Sequence, residues 1–397
     1  MLRPGSFALT LLLAMLTAVG PLSMDMYLAS LPAIGRLLDA PTSQVQLTIS
    51  AYLIGFAFSQ ILYGPLSDRH GRRPVLLAAL CIYMVATLIC ALSSSIEMLI
   101  AARFMQAVGG SGASVLARAV VRDMYEGTRI GRELARMAAI MAVAPLVAPM
   151  VGGVLETAFG WRSNFVVLLC FGAVAWSMVW FLLPETVRKR APEPVSVASI
   201  LRSYRRFLGD SNFVIHLGIA TCCLSGLFAW ISSAAFVLQD IYGLSALAFG
   251  LAFAIGSSGY MVGTLIAARF VMRWGSRLTM GRGTMTMAAS GIVLVLLMLP
   301  TAINPSFGII AAIALYLIGM GMTLAQAQAG ALLPYPDRAG AASSLLGFCT
   351  QTSSAVVGAI LGHVLGVTAW PLAIAMVCAG GLSLLLWSRV SGARTSG

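Results

Sequence analysis

Uninterrupted apolar runs, each long enough to cross a lipid bilayer, recur along the whole chain and limit what it can fold into. A membrane-crossing helix needs roughly 20 predominantly apolar residues. Twelve runs qualify: 7–28, 44–66, 74–94, 97–119, 133–158, 163–183, 213–238, 246–271, 279–299, 306–330, 341–365 and 368–387. In hydrocarbon only helices and closed barrels satisfy every backbone N–H and C=O. Barrel strands alternate apolar and polar residues over about 10 positions, and these runs do not alternate. The expected fold is therefore all-α and integral to the membrane, with twelve transmembrane helices in two pseudo-symmetric six-helix bundles. Of the 397 residues, 59% are hydrophobic and only 10% charged, against about 25% charged in an ordinary soluble domain. The polar stretches between runs are too short to hold a soluble enzyme. No glycine-rich phosphate loop with a following lysine occurs, so direct ATP drive is not expected. A membrane enzyme acting on lipid-linked substrates would need a polar catalytic cluster facing one leaflet, and none is visible.

The first run follows Arg3 and has an apolar core, as a secretion signal does. It continues through Pro21 toward Tyr27 and is read as an uncleaved first helix. The net charge of +12 does not point to nucleic acid, because the basic residues sit between apolar runs. With the N-terminus in the cytoplasm, 22 of the 25 Lys and Arg residues fall in or beside the loops after runs 2, 4, 6, 8 and 10 and in both tails. Arg36 and Arg162 lie on the other side and Arg103 inside a run. This excess of positive charge on one side orients membrane proteins, and it places both termini in the cytoplasm. The seven cysteines all lie within apolar runs and show no metal-ligand spacing with histidine; they read as buried thiols. The three histidines are too scattered for a metal site.

The longest polar stretch, Pro184–Asn212, separates two groups of six runs. The chain thus divides into 1–184, a cytoplasmic linker over 185–212, and 213–397, with an amphipathic helix expected at Val197–Leu208. A shift of 204 residues superposes Gly55 on Gly259, Arg69 on Arg273, Gly71 on Gly275 and Arg73 on Arg277, while Asp68 meets Met272. Two related six-helix halves are a pattern of secondary transporters.

Four clusters carry the functional reading. The first, "GPLSDRHGRRPVLL", packs Asp68, Arg69, His70, Arg72 and Arg73 into one turn. Gly71 suits a tight turn and Pro74 the first turn of the next helix. A basic turn that merely sets topology would need neither Asp68 nor the flanking Gly64. The second, "RFMQAVGGSGASVLARAVVRDMYEG", holds Arg103 within a run, with Gln106 one turn on. An arginine at membrane depth is costly and marks function by default, although snorkelling to the outer face remains open. Gly109, Gly110 and Gly112 allow close helix approach. The third, "APLVAPMVGG", contains Pro145, Pro149, Gly152 and Gly153, which suggest a kinked, tightly packed helix. The fourth, "PLSMDMYLASLP", places Asp25 within a run. A carboxylate there can act as a proton carrier; a helix-end polar group at the outer interface is the alternative.

These clusters resemble the major facilitator superfamily. G-x-L-S-D-R-x-G-R-R, matched at Gly64, Leu66, Ser67, Asp68, Arg69, Gly71, Arg72 and Arg73, looks like its signature loop. "RAVVRD" and "DMYLASLP" resemble its Bcr/CflA-type drug-resistance exporters, and "APLVAPMVGG" its antiporter motif, with Ala148 in place of a glycine. The resemblance covers essentially the whole chain. It implies a proton-driven exporter of small, largely apolar drugs, or of an endogenous metabolite such as an amino acid, in the bacterial inner membrane. Asp25 and Arg103 would couple protons. Asp68 would meet the chain near Asp337–Ala341, and Arg72 would pair with Asp123, latching the outward-facing state. Met24, Tyr27, Gln106, Phe228, Trp230, Tyr260, Gln326, Gln328 and Gln351 would line the substrate cavity. No cofactor beyond the proton gradient, no nucleic-acid partner and no metal are implied. The expected partners are lipids, protons and a small-molecule substrate, and the expected state is a monomer.

Overall fold

The computed structural model describes residues 6–125, 129, 133, 136–137, 143–187, 197–299, 306–335, 339–364 and 368–390. Among these the secondary structure is helical throughout, with no strand. In chain order the helices are α1 (Phe7–Asp25), α2 (Leu31–Leu37), α3 (Thr42–His70), α4 (Arg72–Leu92), α5 (Ile96–Met124), α6 (Ala144–Phe159) and α7 (Arg162–Leu182). They continue with α8 (Val197–Leu208), α9 (Ser211–Ala235), α10 (Ala246–Leu297), α11 (Ser306–Leu332), α12 (Ala339–Val364) and α13 (Trp370–Ser388). A single turn of 3-10 helix, Leu28–Ser30, joins α1 to α2, and a π-helical turn, Phe236–Ile241, extends α9.

Ten helical segments are long and apolar enough to cross a membrane, and α6 is a shorter apolar one. The 52-residue α10 is two spans meeting at Gly275, whose φ of 76° and ψ of 160° interrupt the helix. Counted this way, the described helices give the expected twelve crossings. Their surfaces fit a lipid solvent. Phe58, Val85 and Leu265 are 56%, 59% and 62% exposed, an arrangement that water would penalise and hydrocarbon does not.

The chain divides into two compact units, Met1–Val195 with Ser245–Leu251, and Ser196–Leu244 with Ala252–Gly397. In the first, α5 packs along α3, α4 and α1, and α4 also meets α7. Its core runs through Leu12, Leu16, Leu76, Tyr83, Leu116 and Val179. In the second, α9 packs on α11, α12 and α13, and α8 lies on α9 and α12.

The repeat read at a spacing of 204 residues has a structural counterpart in each unit. Gly71 ends α3 with φ 102° and ψ 150°, and Gly275 breaks α10 in the same left-handed region. A side chain at either would be strained. A Cβ on Gly55 would lie 2.6 Å from the Phe104 carbonyl, and one on Gly259 would strike the Ala314 carbonyl. Each glycine is therefore where two spans touch backbone to backbone. Beyond each turn an arginine stacks on a tryptophan: Arg73 on Trp180 at 5.4 Å, and Arg277 on Trp387 at 5.7 Å.

Candidate functional site

The first unit holds the densest polar structure. Helix α1 ends at Asp25, four residues after Pro21, and Pro32 opens α2. Asp25, the last residue of α1, is only 6% exposed. Among the described residues its carboxylate receives no hydrogen bond and no ion pair.

Arg103 is fully buried in α5. Its Nη1 donates to the Ser23 carbonyl at 2.9 Å and to Gln106 Oε1 at 2.6 Å, and Nη2 approaches Met24 Sδ at 3.9 Å. The guanidinium lies between the rings of Tyr27 and Tyr52, 4.5 and 4.3 Å from their centroids. A desolvated cation between two rings gains of order 2 kcal/mol from each at best, and hydrogen bonds from a charged donor add about 1.5–3 kcal/mol each. This removes the snorkelling alternative, because the side chain turns into the bundle. The partners are themselves held. Gln106 Nε2 donates to Thr87 at 2.9 Å, Tyr27 shares a 2.8 Å hydrogen bond with Thr48, and Ser23 shares one of 2.7 Å with Tyr83. Arg103 thus ties α1, α3, α4 and α5 together two residues from Asp25. Tyr52, Tyr83 and Thr87 were not singled out from sequence.

Helix α6 presses on the chain just after Asp25. Pro145 sits in its first turn and Pro149 inside it. A Cβ on Gly152 would collide with the Met26 carbonyl, so only glycine lets the helix seat there. Gly153 is buried beside it. One turn on, Glu156 accepts a 2.7 Å hydrogen bond from Ser30, and Asn164 of α7 donates to Ser30 at 3.0 Å. The antiporter-like motif and the Asp25 segment are therefore in direct contact. Nothing in the sequence marks Glu156, Ser30 or Asn164 as partners.

The signature turn is tighter than a loop: Gly71 alone separates α3 from α4. Arg72 Nη1 pairs with Asp68 Oδ1 at 2.6 Å, and its Nε with Asp123 Oδ2 at 2.9 Å. A 2.5 Å hydrogen bond to Ser67 completes its fork. Arg73 Nη2 donates to the Trp180 carbonyl at 2.6 Å. Arg69 is exposed, and Gly64 faces open space. Glu185, which sequence reading placed in the linker, accepts from the backbone N–H groups of Arg72 at 2.9 Å and Arg73 at 3.2 Å. Thr186 donates to Asp123 at 3.0 Å. Asp337, expected near Asp68, lies outside the described residues.

The cavity candidates fall in both units. Tyr27 and Gln106 belong to the Arg103 network and are fully buried, and Met24 is 5% exposed. Trp230 is fully buried and stacks on Phe253 at 5.8 Å. Phe228, Tyr260, Gln328 and Gln351 are half-buried. Gln326 is half-buried, and its Oε1 accepts a 2.8 Å hydrogen bond from Ser276, one residue past the Gly275 break. It is held at a helix turn near the end of α11. Among the described residues no His, Cys, Asp or Glu cluster could hold a metal ion.

Twelve crossings, a repeated turn and a fully buried arginine anchored on α1 two residues before a buried carboxylate mark a multi-pass membrane transporter. A family model described as Major Facilitator Superfamily matches residues 13–359, and the chain belongs to that family. It is a transporter, not an enzyme. It is 35% identical over 359 residues to an uncharacterized MFS-type transporter of Bacillus subtilis, covering 89% of this chain and 88% of the relative. It is 32% identical to multidrug resistance protein D of Escherichia coli, covering 98% and 96%. It is 28% identical to a bicyclomycin resistance protein homolog of Haemophilus influenzae, covering 97% and 96%. These names agree with the Bcr/CflA-type resemblance. A crystal structure of a D-xylose-proton symporter shares the fold, with a TM-score of 0.77 at 16% identity, covering 97% of this chain and 98% of that one.

Proposed function

We propose that the protein exports small, largely apolar compounds in exchange for protons, by alternating between outward- and inward-open states. Asp25 carries this reading: a buried carboxylate with no partner among the described residues, at the point where the antiporter-like helix meets α1. In the proposed cycle Asp25 takes a proton from outside and releases it inside. Arg103, anchored on the Ser23 carbonyl, tunes that exchange. The Asp68–Arg72–Asp123 cluster closes the cytoplasmic end of its bundle and has to loosen for inward opening. The resistance names of two relatives support drug-like substrates. Phe228, Tyr260, Gln328 and Gln351 are the proposed substrate contacts.

The energy source is the proton gradient alone, and each charge moved through 100 mV contributes about 2.3 kcal/mol. No cofactor and no nucleic acid take part. The protein works as a monomer in the bacterial inner membrane, with both termini in the cytoplasm.

The test is transport by proteoliposomes under an imposed pH gradient. Export by antiport predicts that bicyclomycin or a comparable apolar antibiotic moves against its gradient when protons move the other way. Movement of drug and protons in the same direction would make the protein a symporter. Movement of an amino acid but of no antibiotic would make it a metabolite exporter.

A further inference from the structure

Helix α8 carries a charge pattern that transport does not use. Arg202, Arg205 and Arg206 are exposed; Arg202 stands three and four residues before the adjacent pair Arg205 and Arg206, which puts them on one face. The opposite face holds Phe207, fully buried, and the half-buried Tyr204. Phe207 stacks on Phe213 at 5.4 Å and on Tyr335 at 4.7 Å. Phe213 lies in the first turn of the membrane-crossing α9, and Tyr335 three residues past the end of α11. The packing therefore fixes α8 at the level where spans begin and end, with its arginines turned outward.

Like charges three and four residues apart repel one another, as Arg202 does Arg205 and Arg206. A helix C-terminus favours the two in the last turn but not Arg202, and among the described residues no carboxylate pairs with any of the three. Asp210 is taken up by Tyr335 and the Asn212 N–H. We propose that this face of α8 is a docking surface for the anionic headgroups of membrane phospholipids. A basic amphipathic helix held at the interface is suited to that ligand, and an anionic leaflet supplies the countercharge the protein lacks. The cytoplasmic leaflet as the location rests on the topology proposed above; the headgroup contact itself does not.

The test is hydrogen–deuterium exchange of the full-length protein in nanodiscs, which present both faces. The discs are made of phosphatidylcholine or of a phosphatidylcholine–phosphatidylglycerol mixture. Exchange across Val197–Leu208 should slow roughly tenfold in the anionic discs, and the difference should shrink in high salt. It should vanish in Arg202→Gln/Arg205→Gln/Arg206→Gln and survive in the corresponding triple Lys variant, with exchange in α9 unchanged in both. Equal exchange of wild type in both disc types, or a difference that persists in the Gln variant, overturns the proposal. So does equal protection by soluble glycerol phosphate in phosphatidylcholine discs, which would mean a site for a free anion. Labelling of an introduced cysteine in intact cells tests the topology separately.

Discussion

The carboxylate of Glu185 lies across the start of α4, accepting the backbone N–H of Arg72 at 2.9 Å and of Arg73 at 3.2 Å. The residues that follow α7 are thereby fastened to the turn between α3 and α4. An acid at this position satisfies donors that no helical carbonyl can reach and complements the positive end of the helix. Replacing it by Ala should cost about 1 kcal/mol, the usual loss for an N-terminal cap. The check is thermal unfolding in detergent, in which Glu185→Asp should fall between wild type and Glu185→Ala.

Arg72 uses different nitrogens for its two acids, Nη1 for Asp68 and Nε for Asp123. A lysine presents one point charge and cannot reproduce that fork. Arg72→Lys should therefore resemble Arg72→Ala more than wild type in transport rate. A double-mutant cycle with Asp123→Asn should give a coupling of about 0.5–3 kcal/mol. Additive effects would mean that the pair is incidental.

Two motif glycines predict opposite outcomes. At Gly152 an added methyl meets the Met26 carbonyl, which has no room to give; at Gly64 it meets open space. Gly152→Ala should reach the membrane at normal levels yet lose most of its transport, because α6 can no longer seat beside Asp25. Gly64→Ala should transport nearly as well as wild type. Transport assays normalised to membrane content compare the two directly.

Asp210 and Tyr335 set a pH dependence at the end of the second unit. The Tyr335 hydroxyl donates to Asp210 and holds its carboxyl below the usual carboxylate range, helped by the Asn212 and Phe213 N–H groups. A depressed carboxylate adds stability that is present above its unfolded value, about 3.9, and is lost as pH falls through the folded value. Tyr335→Phe should therefore unfold at lower temperature than wild type at neutral pH, and the gap should close as the pH drops below about 4. Thermal scans across that range measure it.

What could be read from sequence follows from what lipid demands locally. Each span declares itself through its own residues, and Gly71 and Gly275 mark their turns because only glycine tolerates those dihedrals. Arg103 and Asp25 stand out because charge inside an apolar run is rare. Of the Arg103 partners, Tyr27, Gln106 and Met24 are legible as candidates beside the charged residues, but Tyr52, which encloses Arg103 from α3, looks like an ordinary apolar-face aromatic. Glu185 is 113 residues from Arg72 and sits in a polar stretch where an acid attracts no notice. Glu156 looks like a span end until Ser30 is brought to it. Trp180 and Trp387 repeat the stacking role with Arg73 and Arg277, but at a spacing three residues longer than the rest of the repeat, so a fixed shift of 204 passes over them.

The most direct test of the account is substrate-driven proton release from energised inside-out vesicles, read with a pH-sensitive dye for wild type and Asp25→Asn. Antiport carried by Asp25 predicts that at least one apolar antibiotic draws protons out through wild type and none through the variant, with both proteins present at equal levels. An equal response from Asp25→Asn would contradict it, and would make Asp25 a buried structural group instead of the proton carrier.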